Sequence, residues 1–99
     1  MVSRQVLLTV NGSPIALNNF MHGYIDRLVS GIIASLKGTG EIQGANLSIA
    51  GDQVSLILNK EAAPLNPFVA RIIHSTIMGM VSSLKGVSTA ERIEITINR

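Results

Sequence analysis

The chain carries nearly the same message twice, and this limits what it can fold into more than any other feature. Gln5–Ile49 aligns with Gln53–Ile97 without a gap, at a constant offset of 48 residues. Identical pairs run the whole length, among them Val6/Val54, Leu8/Leu56, Asn11/Asn59, Asn18/Asn66, Phe20/Phe68, Gly31/Gly79, Ser35/Ser83 and Ile49/Ile97. A fixed period of this size marks a repeated supersecondary unit. The 99 residues therefore read as one domain, residues 1–99, built of two repeats over 5–49 and 53–97.

Each repeat reads as hairpin, helix, strand. Val6, Leu8 and Val10 alternate with Leu7 and Thr9, the period of a half-buried strand. Asn11-Gly12 follows, a strong two-residue hairpin signal. Such a loop sets Leu8 opposite Ile15 and Val6 opposite Leu17, all on one face. Pro14 removes a ladder donor and makes the return strand an edge. The second repeat has Val54, Leu56 and Leu58, a turn near Asn59-Lys60, then Ala63 and Leu65.

Asn18 and Asn66 occupy N-cap positions, and Pro67 suits a first helical position. Helices are predicted over Asn19–Lys37 and Pro67–Lys85. Lys37 and Lys85 would offset the helix dipoles, and Gly38 and Gly86 would end the helices in left-handed conformation. The apolar positions Phe20, Met21, Tyr24, Ile25, Leu28, Val29, Ile32, Ile33 and Leu36, with their counterparts 48 residues on, cover an arc of roughly 220°, wider than one sheet needs. Each helix is thus expected to have two apolar neighbours. The two Phe, at matching helix starts, are read as core anchors. Small residues at Gly31, Ser35, Ser75, Gly79 and Ser83 edge the arc and imply close packing.

Closing strands follow at Ala45, Leu47, Ile49 and at Ile93, Ile95, Ile97. A second hairpin at Gly51-Asp52 pairs Ile49 with Val54, Leu47 with Leu56 and Ala45 with Leu58. Two hairpins landing in phase give an α+β fold: an antiparallel sheet of four to six strands with two helices on one face. The six-stranded form is favoured over a four-stranded ferredoxin-like sandwich because the Asn-Gly turn is so clear. The other face would show Thr9, Ser48, Ser55 and Thr96 with Leu7 and Ile57 among them.

Only 14% of residues are charged, against roughly 25% in an average soluble domain. A small domain has much surface, so this one presents weakly polar surface that another copy or another protein would cover. The net charge of +2 is too mild to argue for nucleic acid, and Phe20, Tyr24 and Phe68, the only aromatics, lie on helices rather than on strands where bases would stack. There is no cysteine, which excludes disulfides and thiolate zinc sites. No apolar run is long enough to span a bilayer, and the first residues lack a signal-peptide core, so a cytoplasmic setting is expected.

No catalytic constellation stands out. No serine lies in a Gly-x-Ser-x-Gly elbow, and the glycines at 38, 40 and 44 do not link a strand to a helix as a phosphate loop would. His22 and Asp26 share a helix face but lack counterparts at Ala70 and His74, and two ligands do not make a zinc site; they read as a solvated polar pair. No catalytic residue, metal or cofactor is assigned. The outer arc of the second helix, with Met78 near its middle and His74 and Arg71 beside it, is the candidate contact surface.

Leu65-Asn66-Pro67-Phe68-Val69, followed by Gly79-Met80-Val81-Ser82-Ser83-Leu84-Lys85-Gly86, resembles a short module appended to some bacterial molybdopterin-guanine dinucleotide biosynthesis proteins. Leu17–Phe20 with Ser35–Gly38 is similar to it more weakly. This chain lacks the P-loop of those proteins and has two copies of the module alone. The resemblance implies no nucleotide binding but a module that works by association, in which a single unit would pair with a twin. The expected function is a non-catalytic interaction or assembly module, a homo-oligomer or partner-binding protein accessory to metal-cofactor maturation. The alternative is a small-molecule binder with a pocket between helices and sheet.

Overall fold

The structure, a computed structural model, describes residues 5–37, 43–84 and 90–98. Its elements are β1 (Gln5–Val10), β2 (Ser13–Ile15), α1 (Asn19–Lys37), β3 (Gly44–Ala50), β4 (Gln53–Leu58), β5 (Glu61–Ala63), α2 (Pro67–Ser82) and β6 (Arg92–Asn98).

Local turn chemistry sets the hairpins. Asn11 and Gly12 have φ of 51° and 83°, and Asn59 and Lys60 have φ of 50° and 70°. Two left-handed residues in succession make the type I′ turn, whose twist matches the flanking strands. Lys60 takes this conformation without the help of glycine, at a cost of about 1–2 kcal/mol. At the hairpin between β3 and β4, Gly51 alone of the two central residues is left-handed, φ 60°, the pattern of type II′. The registers follow: Leu8 faces Ile15, and Ala45, Leu47 and Ile49 face Leu58, Leu56 and Val54. Val6 does not face Leu17. The short return strand ends at Ile15 because the chain must leave the sheet to reach the N-cap at Asn18, and Leu17 packs half-buried against the core instead.

Asn18 and Asn66 do cap the helices: their side-chain oxygens accept from the Met21 and Val69 N–H groups, each at 2.8 Å. The second helix stops at Ser82, three residues before the predicted end. The Ser83 and Leu84 N–H groups donate to the Met80 and Val81 carbonyls, at 3.1 and 3.0 Å, and tighten the last turn. The Lys37 side chain, Gly38, Gly40, Lys85 and Gly86, to which helix-end and loop roles were assigned from sequence, lie outside the described residues.

All eight elements form two layers. The six strands are antiparallel in the order β2-β1-β6-β3-β4-β5, so both return strands are present and the sheet is the six-stranded form rather than the four-stranded alternative. This order reads the same from either end once residues are shifted by 48. At its centre Leu47 faces Ile95, its own counterpart, so a pseudo-twofold axis passes between them. One face of the sheet, with Val6, Leu8, Leu47, Ile49, Ile93, Ile95 and Ile97, is buried under Ile25, Val29 and Ile33 of α1 and Ile73, Ile77 and Val81 of α2. The molecule measures 37 × 35 × 18 Å. The thin dimension is that of one sheet and one helix layer, so the second face of the sheet lies bare.

Asn11 and Asn59 do more than turn the chain. The Asn11 side-chain oxygen accepts from the N–H groups of Glu91 (2.8 Å) and Arg92 (3.0 Å), while its own N–H donates to the Arg92 carbonyl at 2.7 Å. Asn59 holds Gln43 (2.8 Å) and Gly44 (3.1 Å) in the same way, and donates to the Gly44 carbonyl at 2.8 Å. Each hairpin turn thus latches the start of the closing strand that belongs to the other half of the sequence.

Candidate interaction surface

The helices sit on the sheet in a rotation that the sequence pattern did not anticipate. An arc of roughly 220° is too wide for one sheet, so one edge of it stays outside. The aliphatic line Ile25, Val29, Ile33 takes the sheet, and the aromatic edge points to solvent. Phe20 is 71% exposed and Phe68 66%, so neither anchors the core. Tyr24 and Ile72, their neighbours one turn on and again 48 residues apart, are also exposed. The Phe20 and Tyr24 rings stack with centroids 5.9 Å apart and planes 17° from parallel.

Each helix therefore carries a ridge along its outermost line. On α1 it runs Phe20, Tyr24, Arg27, Gly31, Ala34, and on α2 Phe68, Ile72, Ser75, Gly79, Ser82, all exposed. Each is bulky and apolar over its first two turns; the α2 ridge is flat afterwards, and the α1 ridge is flat beyond Arg27. A Cβ at Gly31 or Gly79 would meet nothing within 4 Å. Packing inside the chain therefore gives no reason for either glycine, although glycine in a helix interior costs about 1 kcal/mol relative to alanine. The exposed charge on these outer lines is sparse. Asp26, the only acidic residue of the two helices, is buried at 4% exposure.

The same rotation relocates the residues singled out from sequence. Met78 is half-buried and packs against the core, rather than standing in the middle of a solvent arc. His74 is half-buried, with Nε2 at 2.9 Å from the Gly51 carbonyl oxygen. Of the three, only Arg71 is fully exposed. His22 and Asp26 are not a solvated pair either. The His22 Nε2 accepts from the Val6 N–H at 3.3 Å, capping the edge of β1 where β2 has already ended. Among the described residues no three His, Asp or Glu side chains gather as metal ligands. No described helix is long and apolar enough to cross a membrane.

The bare sheet face differs in character. Leu7, Thr96, Asn46 and Ile57 form a row across four strands. The Asn46 Nδ2 donates to the Thr96 Oγ1, and the Ser48 Oγ donates to the Asn46 Oδ1, both at 3.0 Å. Its small polar groups satisfy one another, with Leu7 and Ile57 exposed at the ends. Between helix and sheet there is a recess under the end of α1, lined by Ile33, Leu36, Leu56, Ala63 and Pro64. It offers no polar side chain to orient a small molecule.

The signal that could have located the ridges was present in the sequence: an apolar arc too wide for its sheet, with aromatics on one edge. Comparison with protein-family models, with curated proteins and with solved structures finds no match to this chain.

Proposed function

We propose that this protein is a non-catalytic assembly module that pairs with a second copy of itself through its helix face. The observation that carries the reading is the pair of equivalent ridges, Phe20–Tyr24 and Phe68–Ile72, on the solvent line of two helices on one side of the sheet. Bulky at one end and flat at the other, the ridges complement each other in antiparallel contact. A copy related by a twofold along the helix direction sets α1 of one molecule on α2 of the other. Phe20 then lies over the partner's Ser82, Tyr24 over the partner's Gly79, and Arg27 over the partner's Ser75, so that no like charges meet. The two glycines gain a purpose as the points of close approach. A face measuring 37 × 35 Å offers more than the about 800 Å² per partner that a standard interface buries.

The sparse charge of the chain favours the same reading, and so does the resemblance to a module that works by association. In this proposal the pair serves as an accessory to metal-cofactor maturation in the cytoplasm. Sedimentation equilibrium tests the pairing. The wild-type chain is expected to be dimeric, and Phe20→Ser with Phe68→Ser is expected to weaken the dimer by at least about 100-fold, since aromatic anchors dominate interfaces of this size. Gly79→Leu has open space within its own chain and should abolish pairing without unfolding the monomer. A wild-type monomer at high concentration, or a Gly79→Leu chain that dimerises as well as wild type, would sink the proposal.

A further inference from the structure

The pseudo-twofold fold carries a recess beside each asparagine latch, and the two recesses differ in chemistry. One lies at the Asn11-Gly12 turn and is lined by Ala50, Gly51, Glu91 and Arg92. The other lies at the Asn59-Lys60 turn and opens onto the bare sheet face, where Asn46, Ile57, Thr96 and Asn98 line it. Its volume is about 350 Å³, within the about 300–1,000 Å³ of small-molecule pockets. The latch bonds are the same at both ends, so the fold does not dictate what differs between them.

The differences run in one direction. A shift of 48 residues sets Gln43 in the place of Glu91, Gly44 in that of Arg92 and Asn46 in that of Glu94. It also sets Asn98 in the place of Ala50 and Lys60 in that of Gly12. Two carboxylates and a guanidinium at one end thus give way to carboxamides, a glycine and one ammonium at the other. Among the described residues Lys60 is the one charged side chain that lines the second recess. A Cβ at Gly44 would stand 3.5 Å from the Ile97 carbonyl oxygen, an ordinary contact, so packing does not demand glycine there. Lys60 keeps a left-handed backbone, φ 70°, where the first repeat uses glycine. Strain of this kind gathers at binding sites, and the turn itself has no need of it. The hydrogen-bond chain across the sheet ends at the same point. Ser48 Oγ donates to Asn46 Oδ1 and Asn46 Nδ2 donates to Thr96 Oγ1, which leaves the Thr96 O–H to donate onward.

From this we infer that the Asn59-Lys60 recess binds a small hydroxylated anion. The Lys60 ammonium takes its carboxylate or phosphate group, because charge-assisted hydrogen bonds are the strongest on offer there. The side-chain amides of Gln43 and Asn98 both donate and accept, which suits hydroxyl groups. Ile57, exposed beside them, supplies an apolar flank. The recess opens on the side of the sheet away from the helices, so the inference is independent of pairing through the helix face.

Amide chemical shifts of the isotope-labelled chain test it, in titrations at constant low ionic strength with citrate, inorganic phosphate and glycerol phosphate, and with glycerol as the neutral control. At least one anion should give saturable shifts at Gly44, Asn46, Lys60 and Thr96 and leave Asn11, Gly12, Glu91 and Arg92 unmoved. A response to citrate assigns a carboxylate ligand, and a response to glycerol phosphate a phosphorylated one. Lys60→Gly restores the residue of the first repeat, so the melting temperature should stay at or above wild type while Kd rises at least about 10-fold, the effect of losing one charged hydrogen bond. Gln43→Glu puts a carboxylate where the other end has Glu91, and should weaken binding by as much. No saturable shift with any of the anions, equal shifts at both ends, the same shifts with glycerol, or unchanged affinity in either variant would overturn the inference.

Discussion

Asn11 offers the sharpest test of how the two halves are held together. Its side-chain oxygen accepts two backbone N–H groups at 2.8 and 3.0 Å, and its backbone sits at φ 51°. Replacement by glycine keeps the left-handed backbone but removes both bonds. At about 1 kcal/mol net per bond the loss is about 2 kcal/mol, reduced toward about 1 by the water that reaches this exposed turn. Replacement by alanine loses the same bonds and adds left-handed strain of about 1 kcal/mol, bringing the total toward about 3 kcal/mol. Aspartate retains the acceptor and should fall within about 0.5 kcal/mol of wild type. Urea unfolding at constant slope reads these differences, and in a domain of this size each 1 kcal/mol moves the melting temperature by about 4–8 °C. Asn59→Gly should cost the same, since Asn59 makes the equivalent bonds to Gln43 and Gly44. The two latches stand at opposite ends of the seven-residue central strands, about 20 Å apart, so their effects should add. An Asn11→Gly cost below about 0.5 kcal/mol, or the order glycine worse than alanine, would refute the reasoning.

Three further outcomes are expected. Ile95→Ala, at the pseudo-twofold axis and 1% exposed, should destabilise by about 2–5 kcal/mol in chemical denaturation. With Leu47→Ala, its direct partner, the effects should not add, because both open the same space. Gly79→Ala should stabilise the isolated chain by about 1 kcal/mol, because the new methyl meets nothing and the helix gains propensity. Thermal unfolding in the Phe20→Ser, Phe68→Ser background measures this without any contribution from pairing. Asn66→Ala removes the 2.8 Å bond from the Val69 N–H and should cost about 1 kcal/mol, seen as a lower melting temperature and fraying of the first turn of α2.

Much of the fold was legible because its determinants are local. Asn11-Gly12 and Gly51 specify turns through backbone sterics, and the turns specify registers such as Ile49 with Val54. Asn18 and Asn66 mark helix starts because their side chains reach N–H groups three residues ahead. The failures are equally instructive. Alternation puts Leu17 in a strand, but the demands of the helix start take precedence. Hydrophobicity puts Phe20 and Phe68 in the core and small polar neighbours put Met78 on the surface, whereas both Phe are exposed and Met78 packs against the core. Periodicity tells which residues lie on a common arc, but not which part of an over-wide arc the sheet will cover.

Local sequence sets the alphabet of the structure: two equivalent units, the turns, the helices and the in-phase apolar faces of the strands. Each of these depends on residues within one turn or one hairpin of each other. The strand order β2-β1-β6-β3-β4-β5 and the rotation of the helices about their axes come from long-range packing. Both arise from contacts between residues far apart in the chain, such as Leu8 with Ile95 and Leu47 with Ile95. Interlacing the halves lets each closing strand satisfy its backbone on two sides, and seating the aliphatic line of each helix on the sheet leaves the aromatic ridges facing outward.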